Sequence, residues 1–187
     1  MESRSGRLLE FFSKVGVLKG LPRTGWVEAG IGEPESVADH CFRTSIIAMV
    51  LSDLQGHDTG RTIRISFLHD LAEIETGDLT PGQKRERGPS LMREEEGAVA
   101  RLLSGLPVDL AERYMELWEE LRAGASPEAE VVAHADKLEM VLQAMEYEEG
   151  GVSPGSLQRF WHADVGEGLP RELVGELMKK RRSGRVE

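Results

Sequence analysis

An all-α fold is predicted by three features of this sequence. Apolar residues recur at helical spacing along almost its whole length. Strand signals are scarce, with little of the period-two alternation that a half-buried strand needs. Helix-start signals recur at intervals suited to a bundle of helices, among them Ser36-Val37-Ala38-Asp39 and Ser126-Pro127-Glu128.

The elements follow in order. Leu8, Phe12 and Val15 share one face of an N-terminal helix that ends near Gly16 to Gly20. The stretch LPRTGWVEAGIGEPES, rich in Gly and Pro, reads as a loop. Ser36 with Asp39 three residues later resembles a capping box and opens a helix through about Gln55. Val37, Phe42, Ile46, Ile47, Met49, Val50 and Leu54 make that helix apolar almost all round, as expected of a central buried helix. Gly56 to Gly60 makes a turn, and a second buried helix is expected from about Arg61 to Glu75, broken by TGDLTPG. Lys84 to Pro89 reads as a charged, solvated loop.

Helices are expected near Leu91–Ser104 and Asp109–Ala123, the latter with Leu110, Tyr114, Leu117 and Leu121 in steps of four, three and four. Ser126, Pro127 and Glu128 supply a cap, a proline and a first-turn acid for a helix with Val131, Ala135, Leu138, Leu142 and Met145 on one stripe. A short helix near Leu157 and a last one over Arg171 to Arg182 complete the chain. Lys179 to Arg182 form a basic, solvated helix end that complements the helix dipole. Glu94, Glu95 and Glu96 read as a solvated face.

The 187 residues fit one domain, spanning 1–187. A net charge of −10 disfavours a nucleic-acid backbone as partner but allows a small phosphate ligand, because a local metal or arginine reverses the field. The lone Cys41 excludes an intramolecular disulfide and a cysteine zinc site, suits a reducing cytoplasm, and reads as a small buried helix residue. No apolar run reaches the roughly 18 residues of a membrane span, and the N-terminus shows no signal-peptide stretch, so a cytoplasmic location is expected.

Chemistry concentrates in three places. His69-Asp70 lies inside the apolar segment ISFLHDLAEI, where two adjacent polar groups must be satisfied, because unpaired burial costs several kcal/mol. A hydrogen-bonded core pair would do this; so would a divalent metal, which accepts imidazole nitrogen and carboxylate oxygen together. Glu73 lies four after His69 and three after Asp70, on their face. His40 sits in the first turn of the other buried helix, as a cap, a core group or a ligand. Asp136, between Val132 and Met140, should be partly buried, in a salt bridge with Lys137 or His134 or on a metal. Taken together, the order His, then His-Asp, then Asp, each on its own apolar helix, is the pattern of the HD superfamily. It leaves coordination positions open for water and substrate.

The segments LPRTGW, PESVADHCFR, LHDLAEIETGDLTP, REEEGAV, LWEEL and HADKLEMVLQAMEYE resemble the HD-domain 5′-deoxynucleotidase family over about residues 8 to 162. The likeness is to its eukaryotic HD-domain-containing protein 2 group and archaeal relatives. The resemblance implies an HD-domain helical bundle with a metal site in the core. It implies an enzyme that hydrolyses deoxyribonucleoside 5′-monophosphates to deoxynucleoside and phosphate.

The resemblance assigns His40, His69, Asp70 and Asp136 to a divalent metal (Mn, Co, Fe, Ni, Zn or Mg). It gives Glu73 to the attacking water or, with Asp78, to a second ion. Asp78, Leu79, Thr80 and Pro81 match the segment that contacts the deoxynucleotide, and Trp26 matches a tryptophan of the substrate pocket. In the bacterial enzymes an arginine directly precedes that tryptophan; here Gly25 stands there, and Arg23 is the substitute for phosphate contact. Arg43, one turn after His40, faces the site or pairs with Asp39 or Glu35. His57, His134 and His162 match no ligand position. A homodimer is expected from the family and from the frequency of C₂ dimers. The alternatives are another HD phosphohydrolase, acting on a nucleoside triphosphate, cyclic nucleotide or guanosine tetraphosphate, or a metal-stabilised binding protein without turnover.

Overall fold

The structure is a computed structural model that describes residues 3–183. Among these residues there are helices and no strand, apart from one isolated antiparallel bridge between Pro22 and Ser36. The helices are α1 (Arg4–Val15), α2 (Thr24–Glu28), α3 (Val37–Gln55), α4 (Thr59–Leu68), α5 (Glu73–Thr76), α6 (Pro81–Arg87), α7 (Pro89–Leu103), α8 (Val108–Ala123), α9 (Pro127–Glu149), α10 (Pro154–Leu157) and α11 (Leu169–Ser183). Short 3₁₀ turns occupy Gly16–Gly20 and Phe160–His162. None of the helices is long and apolar enough to cross a membrane.

α3, α4 and α9 pack on one another and carry the core. One cluster gathers Val37, Ala48, Leu51, Ile65, Val99, Leu103, Leu117, Val132 and Ala135. A second gathers Trp26, Leu138, Val141, Leu157, Phe160, Trp161 and Val174. α9 contributes to both, through Val132 and Ala135 on one side and Leu138 and Val141 on the other.

Helix starts follow the caps. The Ser36 hydroxyl accepts from Asp39 N–H, and the Asp39 carboxylate accepts from Ser36 N–H, which completes the box at α3. α3 ends at Gly56, whose φ of 73° is the left-handed conformation that glycine takes without Cβ strain. The Ser126 hydroxyl accepts from Ala129 N–H at the start of α9.

Several expectations are corrected. In α1 the face turned to the core is Leu8, Phe11 and Val15, whereas Phe12 is exposed. The stretch expected as a loop holds α2. Lys84 to Arg87 are helical, because Thr80 and Gln83 form a second capping box that opens α6, with Pro81 in its first turn. α3 is not buried all round: Phe42, Ile46, Val50 and Leu54, spaced by four, form an exposed apolar stripe. Glu95 is buried and paired with Arg122 at 2.5 Å rather than solvated.

The helix expected over Arg61 to Glu75 is interrupted at His69. Leu71, Glu73 and Ile74 donate their N–H groups to the carbonyls three residues back, at Leu68, Asp70 and Leu71. This tighter winding stacks residues three apart, so Asp70 and Glu73 fall one above the other.

Candidate metal centre

α3 brings His40 into the core, the end of α4 brings His69 and Asp70, and α9 brings Asp136. His40 Nε2 lies 3.2 Å from Asp136 Oδ1 and 3.4 Å from His69 Nε2. His69 Nε2 lies 3.1 Å from Asp70 Oδ2, and His40 Nε2 lies 3.8 Å from the same oxygen. Two donors at about 2.1 Å from one ion, at right angles, stand about 3 Å apart. The spacing and the mixed nitrogen and oxygen set therefore fit one divalent ion. The donor atoms of His40, His69 and Asp136 all lie within 4.8 Å of one another, as do those of Cys41, His69 and Asp70.

Both imidazoles are fixed from behind. His69 Nδ1 donates to the Ser66 carbonyl at 2.6 Å, and His40 Nδ1 meets Glu139 Oε2 at 2.5 Å. Each Nε2 is thereby turned toward the acids. Burial and the Arg23 charge would lower the His40 pKa, but its bonds to Asp136 and Glu139 outweigh them and push it up to about 10. Burial would raise Asp70; His69, Arg23 and His40 instead hold its carboxyl well below the usual range. Asp136 is lowered in the same way, against burial, by Lys137 and His40. The Lys137 ammonium is 2.7 Å from Asp136.

Around this centre stand further groups. Arg23, its side chain only 12% exposed, reaches Asp70 at 3.4 Å and Asp78 at 3.9 Å. Burial opposes its charge, but those two carboxylates hold it protonated. Asp78 is anchored by Thr24, whose N–H donates to Oδ2 at 2.5 Å and whose hydroxyl donates to the Asp78 carbonyl at 2.7 Å. Glu73 is buried, with Oε2 lacking any hydrogen-bond partner. Burial, then the charges of Asp70 and Asp78, push its carboxyl up to about 9. Lys84 stands 4.0 Å from it.

A cavity of about 560 Å³ is linked to the centre through Lys137, which lines it and bonds to Asp136; none of His40, His69, Asp70 and Asp136 is among its walls. Thr80, Pro81, Gln83, Lys137, Met140 and Phe160 are among its walls. Leu79 is half-buried and is not one of its lining residues. Trp26 is 1% exposed and lies within the core. Its ring packs on Phe160 at 3.9 Å and on Tyr147 at 5.2 Å, and its N–H donates to Glu35 at 2.8 Å. His57, His134 and His162 belong to none of the possible metal-holding groups among the described residues.

Arg43 turns away from Asp39 and Glu35. Its guanidinium donates to Glu139, Gln143 and Glu146 on α9. Glu139 was not singled out in the sequence. Its place three residues after Asp136, on the same helix face, does not by itself set it apart from a solvated acid.

A family profile described as HD domain matches residues 15–166. The chain is 41% identical to the 5′-deoxynucleotidase HDDC2 of Bos taurus over 93% of its own length and 84% of the relative's. It is also 41% identical to the human protein of that name, over 89% and 81%. A solved structure of a conserved hypothetical protein from Pyrococcus furiosus superposes with a TM-score of 0.75 at 31% identity, covering 91% of this chain and 99% of that one. The chain belongs to the HD-domain family.

Proposed function

We propose that this chain is a metal-dependent phosphohydrolase that releases phosphate from deoxyribonucleoside 5′-monophosphates. The observation that carries the reading is the convergence of His40, His69, Asp70 and Asp136, brought by three helices, beside a largely buried arginine and a buried glutamate with one unpartnered oxygen. The 41% identity to relatives named 5′-deoxynucleotidase supports the substrate class.

His40, His69, Asp70 and Asp136 hold the ion. A bound divalent cation supplies Lewis acidity toward a phosphate oxygen and toward water. Such donors suit Mn, Co, Fe, Ni or Zn, whereas the oxygens of Glu73 and Asp78 suit a second, Mg-like ion. Arg23 balances charge on the phosphoryl oxygens. Glu73 orients the attacking water and accepts its proton; positive charge nearby favours the carboxylate form that this needs. Asp78 holds the Arg23–Thr24 segment in place and contacts the sugar or the second ion.

Thr80, Pro81, Met140 and Phe160 make the nucleoside compartment, whose volume lies within the usual range for small-molecule sites. Lys137 links that compartment to the metal centre. Trp26 braces the compartment from behind through Phe160 instead of touching the substrate. Pro81, Met140 and Phe160 stand there beside charged side chains such as Glu28, Arg85 and Arg159, and apolar contacts alone reject an added 2′-hydroxyl by only about a hundredfold. A homodimer belongs to the same proposal, with the exposed Phe42, Ile46, Val50 and Leu54 stripe in its support. A cytoplasmic location does too, supported by the single free thiol.

The test is phosphate release from the four deoxynucleoside monophosphates against their ribonucleotides, triphosphates and cyclic nucleotides. The proposal expects the deoxy monophosphates to turn over fastest. Preferred turnover of a triphosphate or cyclic substrate would replace the reading with another HD phosphohydrolase.

A further inference from the structure

The two histidines of the metal centre are held by unlike partners. His69 Nδ1 meets a neutral backbone carbonyl, that of Ser66. His40 Nδ1 meets a carboxylate, Glu139 Oε2, at 2.5 Å, with neither side chain exposed to solvent. The other Glu139 oxygen is gripped by Arg43, from Nε at 2.9 Å and from Nη2 at 2.8 Å. Arg43 is in turn fixed by Glu146 at 2.6 Å and Gln143 at 2.5 Å. A buried carboxylate needs such pairing, and two donors on one oxygen leave the other free to face the imidazole.

We propose that Glu139 is a positioning residue for the metal: through its bond to His40 Nδ1 it fixes the ring so that Nε2, turned toward Asp136 and His69, is the nitrogen that gives up its proton to an ion, and it makes His40 the stronger donor of the two histidines. Arg43 orients Glu139 for that task. The inference rests on the metal reading above and adds two residues to it. The physical basis is general: a ligating imidazole that donates its second N–H to a carboxylate is oriented and made more basic. The Arg43–Glu139–His40 chain runs without a break from a partly exposed guanidinium to a fully buried imidazole.

The test is calorimetric titration of Mn²⁺ into the full, metal-stripped chain, with Glu139→Gln and Arg43→Gln beside the wild type. Glu139→Gln keeps shape and removes charge. It should raise the Mn²⁺ dissociation constant by about 10- to 100-fold. Turnover at saturating Mn²⁺ should recover while the half-saturating concentration shifts, a split that a merely structural residue would not produce. If Glu139→Gln fails to fold, Arg43→Gln, altered at a partly exposed side chain, is read instead; it should weaken Mn²⁺ binding in the same direction by a smaller factor. Wild-type affinity in a folded Glu139→Gln chain, or in Arg43→Gln where that variant is read, would overturn the inference alone. A wild-type chain that binds no Mn²⁺ would overturn both the inference and the metal reading beneath it.

Discussion

Glu73 sets stability against chemistry. Its carboxyl is buried, one oxygen has no partner, and Asp70 and Asp78 repel its charge. A glutamine in that place removes the repulsion. Glu73→Gln should therefore leave the thermal midpoint of the metal-free protein unchanged or higher, while phosphate release falls by about 10² to 10⁴-fold, the usual worth of a positioned acid or base. A midpoint lowered together with activity would make Glu73 a structural residue. Asp39 works in the opposite sense. Its hydrogen bonds from the Ser36 hydroxyl and N–H lower its pKa from the ordinary value of 3.8. The stability it contributes is present above that value and is lost as pH falls through the lower, folded-state pKa. Asp39→Ala should cost about 1 kcal/mol near neutral pH and less in acid, read from urea unfolding at both. His69-Asp70 was legible because an adjacent polar pair in an apolar run needs an explanation. Glu139 was not, because a carboxylate in a charged run such as Asp136-Lys137-Leu138-Glu139 looks like any solvated helix face until a partner 99 residues away is seen.

At the scale of elements, capping chemistry is the most readable signal. Ser36 and Ser126 mark α3 and α9 to the residue, and Thr80-Pro81-Gly82-Gln83 carries the same signature for α6 inside a stretch whose Gly and Pro content also suits a breaker. The interruption at His69 was not legible, because the apolar spacing continues across it and only the backbone bonds reveal the tighter turn. The exposed side of α3 was equally hidden: periodicity shows that a side chain is apolar, not what covers it. α4 is the short helix that delivers His69 and Asp70, and Ile65 anchors it with no exposed surface. Ile65→Ala should cost about 2–5 kcal/mol by chemical denaturation. A loss below 1 kcal/mol would mean that α4 is held by other contacts.

At the scale of the whole molecule, the helical class followed from pattern alone, as did the placing of His40 and Asp136 on helices, whereas His69 and Asp70 stand just past the end of α4. The second core cluster did not follow from pattern. It forms where α9 meets the C-terminal elements, and it seats Trp26 under Phe160. Trp26 is thus set into the framework behind the cavity, a placement no local signal carried. The homodimer is tested at this scale: light scattering should give about twice the 20.7 kDa of one chain, and the protomer mass would remove the dimer from the proposal.

The measurement closest to the central claim is phosphate release from dAMP by metal-stripped protein before and after Mn²⁺, Co²⁺ or Mg²⁺ is restored, with Asp70→Ala as control. The account predicts no release without an ion, release when one is restored, and none from Asp70→Ala under the same conditions. Undiminished release from the stripped protein, or from Asp70→Ala, would contradict it.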